Sequence, residues 1–181
     1  LWKNTSIRKY LVEETSEGLT VDEALRGDIK QALIKIGFPV EDIAGYVEGE
    51  RYDIALREMT VGGFPFRIRR YQEQSVDAFH AGGTARGGSG IVALPCGAGK
   101  TIVGIGAIAR LQTHTLILTT NTIAVRQWRE ELLDKTDVDP EKVGEYTGEV
   151  KNIQPITITT YQILTYRKRK SDPFVHFKLF S

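Results

Sequence analysis

The chain has 181 residues, with 24 Lys plus Arg against 23 Asp plus Glu and a net charge of +1. Its length and 41% hydrophobic content exclude a disordered chain, and its balanced charge confines any polyanion site to a local patch. One cysteine, Cys96, excludes an internal disulfide, and no apolar run reaches the about 18 residues a bilayer span needs; a soluble protein, cytoplasmic in a prokaryote or nuclear in a eukaryote, is expected.

The chain starts at Leu1 and ends on HFKLFS, and both ends read as cut from something longer. Apolar residues from Val21 to Ile36 recur at helical spacing and predict an amphipathic helix over Thr20 to Ile36. Thr20 and Glu23 would form its capping box, and Gly37 followed by Pro39 its stop. Residues 1–63 carry no motif with recognisable chemistry and read as an accessory region, with a boundary at the Gly62-Gly63 pair.

From Phe64 onward strands and helices alternate. The glycine-rich HAGGTARGGSG reads as a flexible loop before the apolar strand IVAL, and Thr101 to Leu111 reads as a helix. TLILT is a second strand, followed by a helix over Thr122 to Leu133, a short strand in KVGEYT, the strand ITITT and a helix beginning near Tyr161. This alternation predicts a three-layer α/β domain with a parallel sheet, incomplete at its C-terminal end.

The stretch PCGAGKT, Pro95, Cys96, Gly97, Ala98, Gly99, Lys100 and Thr101, has the order of a phosphate loop. Two glycines let consecutive backbone N–H groups face one point at a helix N-terminus. Lys100 would then reach the β- and γ-phosphates of ATP or GTP, and the Thr101 hydroxyl would bind Mg²⁺. Leu94 stands where the full pattern has its first glycine, which costs the strand end rather than the cradle. Hydrolysis needs an aspartate at the end of an apolar strand, and none of these runs is followed by one. Cys96 reads as a packing thiol, and His80, His114 and His176 lack metal-ligand spacing.

RIRRYQEQSVDAF resembles the Arg-x-x-Gln motif upstream of the phosphate loop in superfamily 2 helicases, carried here by Arg69, Tyr71 and Gln72. A Gln amide can pair with the adenine edge and an Arg can stack on its ring, which selects ATP. LPCGAGKTIVG, TLILTTNTIAVRQWREEL and VGEYTGEVK with ITITTYQIL are similar to successive motifs of the XPB group, and AGYVEGERYDIALRE to its lead-in. The resemblance implies a RecA-like ATP-binding first lobe over 64–181, ending before the Asp-Glu-x-His strand. It implies an ATP-dependent DNA helicase or translocase of 3′ to 5′ polarity acting in DNA repair or duplex opening. Isolated residues 1–181, without that motif and the arginine finger, would be inactive in hydrolysis.

The resemblance also implies backbone contacts to single-stranded or junction DNA through Thr119, Thr120, Asn121 and Thr122, with Thr159 and Thr160 as a second pair. TTNT equally fits an N-cap cluster. Trp128 reads as a packing residue and RKRK, Arg167 to Lys170, as a solvated run. A repair nuclease or a transcription and repair complex is the further partner implied, with no membrane. Two other readings stay open: another superfamily 2 motor such as a restriction-enzyme translocase subunit, or a non-catalytic nucleotide- or partner-binding module.

Overall fold

The computed structural model describes residues 3–22, 25–40, 49–84, 87–170 and 172–180. It divides into two compact units, Leu1–Gly45 and Tyr46–Ser181.

In the first unit Asn4 caps the short helix α1 (Thr5–Arg8) by accepting from the Ser6 N–H at 2.9 Å, and Ile7 is its buried residue. Strands β1 (Leu11–Glu14) and β2 (Leu19–Val21) pair antiparallel across a turn in which the Thr15 hydroxyl bonds both the N–H and the C=O of Gly18. Helix α2 (Arg26–Lys35) follows.

The helix expected from Thr20 therefore starts six residues later. Thr20 lies in β2, where pairing with β1 satisfies its backbone, and a local capping signal loses to a ladder the same residues can join. Glu23, the other half of the expected box, lies outside the described residues. The stop holds: Gly37 has φ +83°, a left-handed conformation that ends the helix without a Cβ penalty.

The second unit is a mixed α/β fold. Helix α3 (Arg70–His80) packs on α4 (Lys100–Leu111). Strand β3 (Thr115–Thr119) leads into α5 (Thr122–Lys135), then come β4 (Val143–Tyr146), β5 (Ile156–Thr160) and the single turn α6 (Tyr161–Leu164). The sheet order is β3-β5-β4, parallel throughout, with Thr119 opposite Thr160 and Tyr146 opposite Thr159. Central β5 is buried at every position, as a strand covered on both faces must be. Ile117, Ile156 and Ile158 of the sheet meet Val125 and Leu132 of α5 and Ile105 and Ile108 of α4 in one core. Trp128 of α5 packs against this core, and a Cβ on Gly104 of α4 would collide with its ring.

One expectation is corrected. IVAL is not a strand: residues 91–94 pair with nothing among the described residues, and Ile91 is 96% exposed. An apolar run marks a preference for burial, but a strand exists only where a neighbouring edge accepts its backbone groups. The two compact units divide the sequence between Gly45 and Tyr46, so the Gly62-Gly63 pair lies inside the second unit. Residues 49–66 strap onto the second unit: Tyr52 N–H donates to Gln112 C=O at 2.9 Å, Arg57 N–H to Lys135 C=O at 2.9 Å, and Ile54 joins the core at 2% exposure.

Candidate functional site

The loop before α4 has the backbone its glycines allow. Gly97 and Gly99 both sit at φ +76°, in the left-handed region that disfavours any side chain. Gly99 is also hemmed in, since a Cβ there would run into the Gln72 side-chain nitrogen. Helix α4 begins at Lys100 with no side-chain cap and no acidic residue in its first turn. Its first N–H groups and the positive end of its dipole are thus left to an anion. The Lys100 ammonium donates to the C=O groups of Leu94 and Pro95, both at 3.0 Å, closing the loop on itself. Thr101 follows in the first turn, half-buried, and Cys96 is exposed. A glycine cradle, an uncapped helix start and a movable lysine fit the phosphates of a nucleotide. For Mg²⁺ the chain supplies the Thr101 hydroxyl; no group of three or more Asp, Glu, His or Cys placed to hold a metal ion occurs among the described residues.

The first turn of α3 lies against this loop. Gln72, 4% exposed, uses both ends of its amide: Oε1 accepts from the Arg69 N–H at 2.9 Å, and Nε2 donates to the Ala98 C=O at 3.0 Å. The Tyr71 hydroxyl donates to the same carbonyl at 2.7 Å, and the Arg69 guanidinium donates to the Tyr71 oxygen at 3.3 Å. The three residues expected at an adenine ring do stand beside the phosphate loop. In this structure, however, they brace its backbone, and the buried Gln72 amide is engaged by protein partners at both its oxygen and its nitrogen. The Ala98 carbonyl that collects both donors carried no signal in the sequence, because its role belongs to the backbone.

The other expected contacts separate by burial. Thr120, Asn121 and Thr122 are exposed at the turn from β3 to α5. The Asn121 side chain caps α5 by accepting from the Ala124 N–H at 2.9 Å, so the N-cap reading of TTNT holds. Thr119, Thr159 and Thr160 are buried; the Thr119 hydroxyl donates to the Thr159 C=O at 3.0 Å, and that of Thr159 to the Tyr146 C=O. The hydroxyls of Thr119 and Thr159 serve the sheet, because side chains pointing into a covered face find only backbone partners. Arg167 to Lys170 are exposed, and His176 meets the Tyr146 hydroxyl through Nδ1 at 2.8 Å. Two adjoining grooves of about 480 and 800 Å³, sharing Leu56, Ile68 and Glu73, are lined by the strap, α3 and the C-terminal half of α4, away from the phosphate loop.

Residues 65–179 match the family model described as type III restriction enzyme, res subunit. The chain belongs to that family. Within it, nine-tenths of the chain is homologous to XPB helicases. It is 46% identical over 164 residues to the DNA 3′-5′ helicase XPB of Kineococcus radiotolerans, covering 91% of this chain and 27% of that protein. The protein of the same name from Mycobacterium tuberculosis is 45% identical over 162 residues, covering 90% of this chain and 27% of the relative. The general transcription and DNA repair factor IIH helicase/translocase subunit XPB of Encephalitozoon cuniculi is 34% identical over 172 residues, covering 91% of this chain and 25% of its own length. The chain thus spans about a quarter of the length of these curated relatives. Among solved structures, the UvsW helicase from bacteriophage T4 aligns with TM-score 0.46 and 15% identity over 85% of this chain and 58% of that one.

Proposed function

We propose that residues 64–181, with the strap of residues 49–63 packed on them, are the ATP-binding first lobe of an XPB-type DNA helicase or translocase, with the chain before the strap as its accessory N-terminal region. The observation that carries this reading is the cradle formed by Gly97, Gly99 and the uncapped start of α4, with Lys100 poised across it. Lys100 would leave the Leu94 and Pro95 carbonyls for the β- and γ-phosphates of ATP, while backbone N–H groups of residues 97–101 hold the phosphate oxygens. The Thr101 hydroxyl would hold Mg²⁺ bound with the triphosphate, an ion that would supply neutralisation of the phosphate charge. Arg69, Tyr71 and Gln72 would fix the loop beneath the nucleotide. Strands β3, β4 and β5 end in Thr119, Tyr146 and Thr160, none a carboxylate, so these 181 residues would bind ATP without turning it over.

DNA is the proposed partner, held at the backbone by Thr120, Asn121 and Thr122, whose exposed hydroxyls and amide suit contacts that carry no sequence information. Travel of 3′ to 5′ polarity, action in repair or duplex opening, a further repair partner and residence with the cell's DNA are proposals drawn from the relatives' names. The family description also supports a restriction-type translocase, which would use the same loop. The test is Lys100→Ala, read by titration with a fluorescent ATP analogue: binding is expected to be lost, and unchanged affinity would sink the reading.

A further inference from the structure

We propose that the basic run Arg167–Lys170 forms part of a second DNA site, with Lys168, Arg169 and Lys170 binding the phosphate backbone of a duplex. The proposal rests on the DNA reading above and adds a site outside the β3 to α5 turn.

Three observations carry it. First, the parallel register sets the carboxyl ends of β3, β4 and β5 along one edge of the sheet. From that edge β3 enters the exposed turn at Thr120 and Asn121, and β5 enters α6. Gln162 of α6 ties the two exits together by donating to the Thr120 C=O at 2.9 Å.

Second, the chain after α6 is clasped. The Val175 N–H donates to the Tyr166 C=O at 2.9 Å, and the Tyr166 and His176 rings lie 6.1 Å apart. His176 meets the Tyr146 hydroxyl at 2.8 Å, and Phe180 meets the Tyr146 ring edge-on at 5.4 Å. Tyr146 is the buried last residue of β4, so the clasp is rooted in the sheet. A charge run that merely solvates a helix end needs no such anchor.

Third, the charge is one-sided. Residues 167–170 are four consecutive exposed cations, and Asp172 is the one acid between 161 and 180. Arg167 rests over the Phe174 ring at 5.4 Å, and Lys168, Arg169 and Lys170 are exposed. Lys151, over the Tyr146 ring at 4.3 Å, adds a cation beside the clasp. In a protein of net charge +1 this is a local concentration of positive potential. Duplex DNA suits it because phosphates recur at regular spacing, and because the Thr120 to Thr122 turn, tied to α6 through Gln162, offers uncharged donors for the same backbone.

The test is fluorescence anisotropy of the 181-residue chain with two duplexes of unrelated sequence over a salt series, comparing wild type with a Lys168→Ala, Arg169→Ala, Lys170→Ala triple variant. These side chains are exposed, and circular dichroism and binding of the fluorescent ATP analogue are expected to be unchanged. DNA affinity should fall about tenfold or more at low salt, equally for both duplexes, and the slope of log K against log salt should shrink by roughly 2 to 3, at about 0.9 for each phosphate no longer neutralised. Unchanged DNA affinity and slope would overturn the site, as would a wild-type chain that binds no duplex. A loss seen with polyglutamate and not with DNA would also overturn it. ATP-analogue binding, tested separately with Lys100→Ala, stands or falls independently of every one of these outcomes.

Discussion

The side-chain amide of Gln72 donates to the backbone carbonyl of Ala98 at 3.0 Å, across 26 residues of sequence. This bond fastens the first turn of α3 to the middle of the phosphate loop, with the Tyr71 hydroxyl on the same acceptor. Gln72→Glu replaces the donor with an acceptor and sets a carboxylate against a carbonyl in a buried site. The expected outcome is a loss of about 1–3 kcal/mol in stability by urea unfolding together with weaker ATP-analogue binding. Full nucleotide affinity in this variant would show that the loop does not depend on the brace.

The two loop glycines should differ when substituted. Gly97→Ala meets open space and carries only the cost of a left-handed alanine, about 1 kcal/mol. Gly99→Ala adds a collision with the Gln72 amide, which must give up its bond to the Ala98 carbonyl to step aside. Thermal unfolding should rank wild type above Gly97→Ala and Gly97→Ala above Gly99→Ala; the reverse order of the variants would refute the proposed packing at Gly99.

Ile54 tests where the lobe begins. It lies on the strap before the Gly62-Gly63 pair yet sits in the core with Ile105 and Leu132. Ile54→Ala should cost about 2–5 kcal/mol, as truncation of a buried aliphatic does. A cost under about 0.5 kcal/mol, the range of a surface change, would mean residues 49–66 are not part of the folded lobe.

Asp134 supplies a pH-dependent tie between α5 and the same strap. Its carboxyl accepts a hydrogen bond from Lys135, the main reason its pKa falls below the usual 3.8, and another from the Val61 N–H at 3.0 Å. Because the folded pKa is lower than the unfolded one, the stabilisation is complete above 3.8 and is lost as pH falls through the lower folded value. Asp134→Asn should lower the urea midpoint at pH 7, and the gap from wild type should close as pH drops below 3.8. A gap that does not narrow in acid would assign the effect to shape rather than charge.

What could be read from the sequence was what is local. The order Gly-x-Gly-Lys-Thr identifies the loop because each residue acts on its own backbone or one turn ahead, and α4 begins at Lys100, one residue before expectation. TLILT and ITITT became β3 and β5, since each finds a partner in the other. IVAL has equal apolar character but no edge to join, and pairing is not a property of one segment. Thr20 and Glu23 spelled a helix start, yet β1 claimed Thr20 first. Thr159 looked like a DNA contact because hydroxyls suit phosphates; its burial follows from β5 lying at the centre of a sheet covered on both faces, which the tertiary fold decides.

Lys100 at rest on the Leu94 and Pro95 carbonyls has a consequence for the speed of capture. The left-handed turns at Gly97 and Gly99 and the start of α4 are already formed, so under the proposed ATP reading an arriving phosphate would meet a finished receptacle. The rearrangement needed is the swing of one flexible side chain, a motion of picoseconds to nanoseconds, far shorter than a diffusive encounter at micromolar nucleotide. Entry should therefore be gated by collision rather than by folding of the loop, and the residence time of the nucleotide should carry nearly all of the variation in affinity.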